Sequence, residues 1–155
     1  MSERLGPLTA TSEGLAIGDV PGRNVLLARQ RIVYRDGEVA LEQFSWESLE
    51  RLDLKVPVTR WLHPWIGDFV LPLAFAAVAW VIEMPEPKTV SLEVSSGDLR
   101  RSFELAPHHA VGYSRTGARR AQALVRDLLG SADLRRDLDD SRSLLRQVRP
   151  PNPNW

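Results

Sequence analysis

Residues 65–82 read Trp-Ile-Gly-Asp-Phe-Val-Leu-Pro-Leu-Ala-Phe-Ala-Ala-Val-Ala-Trp-Val-Ile, and the role given to them decides the fold. From Phe69 to Ile82 the run of 14 side chains carries no charge, and the indole of Trp80 is its one strong hydrogen-bonding group. A helix of that length reaches about 21 Å, short of the roughly 30 Å of bilayer hydrocarbon. Extending it back to Trp61 supplies length but takes in His63, Pro64 and Asp68. A central Asp costs on the order of 3 kcal/mol on insertion. Trp61 and Trp65 at one end and Trp80 at the other resemble an aromatic belt, so length alone leaves the question open.

The flanking segments bear on it more strongly. Upstream, Gly14 to Val20 predicts a strand closed by Asp19-Val20-Pro21-Gly22, and Val25 to Arg35 predicts a second. In the latter, Leu26, Ala28, Gln30, Ile32 and Tyr34 alternate with Arg29, Arg31 and Arg35, the period of a sheet with one wet side. Asp36-Gly37 links it to Glu38–Ser45 as a hairpin. Leu49 to Val56 alternates again. Downstream, Val90, Leu92 and Val94 lead through Ser95-Ser96-Gly97-Asp98 into Leu99, Phe103 and Leu105, another hairpin. A single crossing would put these two groups of strands on opposite sides of a bilayer, each with open edges and half a core. Two readings of the stretch survive. Either Ala74 to Ile82 is a buried strand and Trp61 to Leu73 an apolar cover or subunit contact, or the segment is a helix that dips into a membrane interface or an oligomer core.

After Ala106 the period becomes helical. Ala118, Ala121, Val125, Leu128 and Leu129 predict a helix ending near Gly130, and Ser131 suits the N-cap of another with Asp133 in its first turn. Leu134, Leu138, Ser141, Leu145 and Val148 form a two-heptad stripe, ended by Pro150-Pro151. The expected organisation is a polar tail at 1–12, a domain at 13–130 with an apolar insertion near 59–73, an amphipathic extension at 131–149 and a Pro/Asn tail at 150–155.

The order of these elements resembles a bacterial pleckstrin-homology-like (PH-like, GRAM-type) domain. The likeness rests on Leu26–Tyr34, which ends in Arg31-Ile32-Val33-Tyr34, on Phe44–Leu52, on the hairpin Val90–Leu105 and on the closing helix Arg115–Leu129. It implies an α+β, mainly antiparallel fold: a seven-stranded barrel closed by one helix, here with an extra C-terminal amphipathic helix. It also implies a binding or scaffolding module, without saying what is bound. Bacterial members often occur with membrane segments or as oligomers. Lipid-headgroup binding is not carried over, because the loop Asp19–Asn24 offers Arg23 opposed by Asp19.

Composition narrows the chemistry. The 20 basic and 20 acidic residues cancel, which removes the usual electrostatic case for nucleic acid. Without cysteine, disulfides, thiolate zinc sites and thiol nucleophiles are excluded. Met1 to Pro7 has no apolar run behind Arg4, so a cytoplasmic location is expected, with membrane association left open. His108 and His109 lack acidic neighbours at ligand spacing, and Ser114 lies outside any Gly-x-Ser-x-Gly elbow. His63 between Trp61 and Trp65 suits a membrane interface, a partner's apolar patch or a loop plugging the barrel end. Gly112–Gly117 lacks the lysine of a phosphate loop. Arg100, Arg101, Arg115, Arg119, Arg120 and Arg126 read as a solvated basic face or a patch for acidic lipid. No catalytic, cofactor or metal residue is expected. The contact residues expected toward a second copy, another protein or a membrane surface are Trp61, Trp65, Phe69 and Phe75 in the apolar segment and Leu134, Leu138, Leu145 and Val148 on the stripe. A small hydrolase using the His108-His109 loop is the third reading.

Overall fold

Gly6-Pro7, set between Leu5 and Leu8, turns the chain within its first ten residues. The computed structural model describes residues 3–58, 89–108 and 112–149. In it Arg4–Leu5 is strand β1 and Leu8–Ala10 is β2, paired through Leu5↔Leu8 with Gly6 at φ 57°. Residues 4–10 are therefore strand, not the expected polar tail. Leu5, Leu8 and Ala10 are buried in the core, and two such short strands leave too few residues for alternation to show.

The meander continues through β3 (Leu15–Ile17), β4 (Arg23–Leu27), β5 (Arg31–Asp36) and β6 (Val39–Ser45), giving a six-stranded antiparallel sheet in chain order. Gly14 holds a φ of 144° where a Cβ would stand 2.1 Å from the Leu27 carbonyl oxygen, so the β2–β3 turn can pass β4 only as glycine. The single strand expected over Val25–Arg35 is a hairpin. Ala28, Arg29 and Gln30 turn it, with the Ala28 N–H donating to the Arg31 carbonyl at 3.0 Å. The indole N–H of buried Trp46 donates to the Ala28 carbonyl at 2.8 Å and holds that turn from outside the hairpin. The next hairpin forms as expected, but its two turn residues are Gly37 and Glu38 and not Asp36-Gly37, because Asp36 pairs with Val39; Gly37 carries the positive φ, 58°.

A second sheet of three strands contains β7 (Arg51–Lys55), β8 (Val90–Ser96) and β9 (Leu99–Leu105). The expected alternation holds here except at Leu99, expected inward with Phe103 and Leu105 but exposed beside the turn: Leu52, Leu54, Leu92, Phe103 and Leu105 are buried, and Arg51, Lys55 and Glu104 are exposed. Among the described residues there are thus nine strands in two open sheets, and neither sheet closes into a barrel. The strand expected at Ala74–Ile82 lies outside the described residues.

The sheets touch where the Ala106 N–H donates to the Arg23 carbonyl at 2.9 Å and the Ala106 carbonyl accepts from Asp19 at 2.7 Å. Tyr34 stacks on Phe103 with ring centroids 4.4 Å apart, and Phe44 lies beside the same ring. Helix α1 (Arg115–Gly130) starts at Ser114, whose hydroxyl accepts from the Gly117 N–H at 3.1 Å. Its apolar face, Ala118, Ala121, Leu124, Val125 and Leu128, enters the core, and Gln122 Nε2 donates to the Leu54 carbonyl at 2.9 Å.

The amphipathic extension is broken where one continuous helix was expected. It comprises α2 (Ala132–Arg136), a 3₁₀ turn at Asp137–Asp140 and α3 (Ser141–Val148). Ser131 caps α2 as expected, accepting from Leu134 N–H. The break falls on Asp137, Asp139 and Asp140, since short acidic side chains bind backbone locally: Asp140 accepts from the Ser143 N–H at 3.2 Å and restarts the helix.

Candidate functional site

The stripe expected to meet a partner faces inward. Leu138 and Leu145 are 1% and 2% exposed and belong to the core, while Leu134 and Val148 pack half-buried against it. Ser141, the polar member of the stripe, donates to the Thr11 carbonyl at 2.9 Å on the β2–β3 turn. Arg29–Asp139 and Arg146–Glu3 ion pairs fasten the same arm, at 2.7 and 2.6 Å. Leu138 and Leu145 are thus covered within the chain, and Leu134 and Val148 are covered in part.

Trp61, Trp65, Phe69 and Phe75, together with His63 and His109, lie outside the described residues. The ends of their segment are placed. Lys55 is the register partner of Ser91, and beyond β7 the Pro57 carbonyl accepts from the Tyr113 N–H at 2.9 Å beside a Val58–Tyr113 bridge. The chain therefore leaves the small sheet and re-enters it at neighbouring strands.

Two clusters that no local motif announces are the remaining candidates. In the first, His108 Nε2 stands 3.0 Å from Thr9 Oγ1, and its Nδ1 stands 3.3 Å from Asp19 Oδ1. The His108 N–H also donates to the Tyr113 hydroxyl at 2.8 Å. The order hydroxyl, imidazole, carboxylate is that of a nucleophilic triad. Yet Thr9 is 4% exposed and the His108 side chain 1%, so no substrate carbonyl has a path to the hydroxyl in this conformation. What the cluster does is tie β2, the β3–β4 loop and the β9–α1 loop together.

The second candidate is on the surface. Val39, Leu41 and Leu99 are 64%, 52% and 44% exposed, three of the four exposed large hydrophobics among the described residues. All lie within three positions of Glu42 or Arg101, whose carboxylate and guanidinium meet across the two sheets at 3.7 Å. The register steps from Tyr34↔Glu42 to Arg35↔Ala40, so Leu41 is the extra residue of a β-bulge, which turns its side chain out of the alternation. Strand β6 is the last of its sheet and β9 the last of the other. No family model, no curated protein and no solved structure matches the chain.

Three of the remaining expected side chains have structural employment. Ser114 is the α1 cap, Arg101 pairs with Glu42, and Arg120 donates to the Val148 carbonyl at 3.2 Å. Arg35, largely buried, donates from Nε to Asn24 Oδ1 at 2.9 Å, while Asn24 Nδ2 donates to the Val20 and Gly22 carbonyls and shapes the β3–β4 loop. On the outer face of the small sheet, the Lys55 ammonium hydrogen-bonded to Glu93 holds that carboxyl below its ordinary range. Among the described residues no group of three or more His, Cys, Asp or Glu side chains could hold a metal ion.

Proposed function

We propose that the chain is a non-catalytic binding and assembly module on a PH-like framework. The order of β3 to β9 followed by the amphipathic α1 supports the resemblance read in the sequence, with β1–β2 added in front and a long insertion between β7 and β8. The observation that carries the binding role is the exposure of three aliphatic side chains on two strands that end their sheets, Val39 and Leu41 on β6 and Leu99 on β9, with the Glu42–Arg101 pair joining the two strands. A hydrolytic role has less support, because the one triad-like cluster is closed to substrate.

A photo-crosslinking residue placed at Leu41, in cells that make the protein naturally, tests this. A discrete adduct at position 41, absent when the crosslinker replaces Ser102 on the solvent face of β9, is the expected result. No adduct at 41 would remove the support for a contact surface there.

The second reading is a peripheral membrane module anchored by the Trp61–Phe75 segment. The pairing of Lys55 with Ser91 favours it over a single crossing, since both ends of the segment stay on one side. Among the described residues no helix is long and apolar enough to cross a membrane. Flotation with anionic vesicles, lost in a Trp61→Ser/Trp65→Ser variant, would support this reading, and no flotation of the unaltered chain would end it.

A further inference from the structure

We infer that the partner at this corner is a second copy of the chain, with β6 of one protomer lying along β9 of the other. The inference rests on the binding role proposed above and names its partner. Among the described residues β6 pairs only with β5 and β9 only with β8, so these are two of the four strands that end a sheet there, with β1 and β7.

Charge selects among the ways two copies can meet. The β6 rim carries Glu38 and Glu42 with no basic residue, whereas β9 begins Leu99-Arg100-Arg101. Glu104, the one acidic residue of β9, lies toward the end tied to Arg23 through Ala106, away from the corner. Setting β6 against β6 opposes glutamates, and setting β9 against β9 opposes arginines. Only β6 against β9 brings opposite charges together, with Leu41 and Val39 of one copy toward Leu99 of the other. The intramolecular Arg101–Glu42 pair at 3.7 Å shows that these groups attract across this corner already. A two-fold axis makes the contact twice, so the assembly closes as a dimer and does not grow into a fibre.

Sedimentation equilibrium of the full chain tests this with two charge-reversed variants, Arg100→Glu/Arg101→Glu and Glu38→Arg/Glu42→Arg. The unaltered chain is expected to dimerise, and more weakly at high salt. Each variant alone faces like charges at both contacts and should dissociate at least tenfold more readily, or 1.4 kcal/mol. An equimolar mixture of the two restores opposite charges at both contacts and should recover the dimer mass. Leu99→Asp, which leaves the Glu42–Arg101 pair in place, should also dissociate the dimer, with an unchanged thermal midpoint showing that it folds. A monomeric unaltered chain, or variants that dimerise as well as it does, would overturn the inference. So would a mixture that stays monomeric while both variants keep their thermal midpoints. A monomer that still crosslinks through position 41 to another protein would remove the second copy and leave the binding role standing.

Discussion

Lys55 and Ser91 face each other across β7 and β8, although 35 residues of sequence, including the apolar stretch, lie between them. That pairing answers by connectivity what hydropathy left open: a single membrane crossing would separate two strands that share a ladder. The neighbouring pair Asp53↔Glu93 provides the check, because the chain has no cysteine of its own. Asp53→Cys/Glu93→Cys should oxidise to one disulfide, leaving no free thiol. Closing a loop of about 40 residues predicts up to about 4 kcal/mol of stabilisation over the reduced form. Two persistent free thiols under oxidising conditions would mean that the strands are not neighbours.

The Thr9–His108 contact joins residues 99 positions apart, and its weight should be read in stability. Thr9→Val keeps the shape and removes the hydroxyl from a buried site. A loss of about 1–3 kcal/mol in urea unfolding is expected. An unchanged midpoint would show that the contact contributes nothing to the fold.

Which parts of this were legible in the sequence follows from where the determining contacts lie. The β8–β9 hairpin could be read because Ser96-Gly97-Asp98 marks its turn and Leu92 and Phe103 keep the two-residue period beside it. The β4–β5 turn could not. Ala28-Arg29-Gln30 contains no Gly, Pro or Asn, and the Trp46 indole that holds it comes from 18 residues away. Merging those strands leaves the PH-like order one short, and the apolar stretch at Ala74–Ile82 is then the remaining source of a seventh strand. The stripe from Leu134 to Val148 had the right period, but period says only that a face must be covered. That the cover is the chain's own sheet depends on tertiary contacts such as Ser141 to Thr11. The surface corner was hidden for a different reason: the bulge at Leu41 has no signal in a segment read only through its Asp36-Gly37 turn, and Arg101, which pairs with Glu42, belongs to another sheet.

The inward placement of the stripe can be separated from an oligomer face by two truncations. Leu138→Ala opens a cavity in the core and should cost about 2–5 kcal/mol. Leu134→Ala, at a half-buried position, should cost less. Neither should change the mass measured in solution. A mass change with little loss of thermal stability would instead place Leu138 between subunits.

The Lys55–Glu93 contact makes a prediction about acid. Hydrogen bonding to the ammonium and its charge stabilise the ionised carboxylate, so the folded-state pKa of Glu93 lies below its ordinary 4.5. The contribution to stability is therefore present above 4.5 and is lost as the pH falls from there through the folded value. Glu93→Gln removes the titration. At neutral pH the variant should be slightly less stable than the unaltered chain, and the gap should narrow as urea midpoints are followed below pH 4.5. Because both side chains stand in water, salt should shrink the gap at neutral pH as well. A gap that widens in acid would require the carboxyl to be favoured in its neutral form, against the geometry of its contact with Lys55.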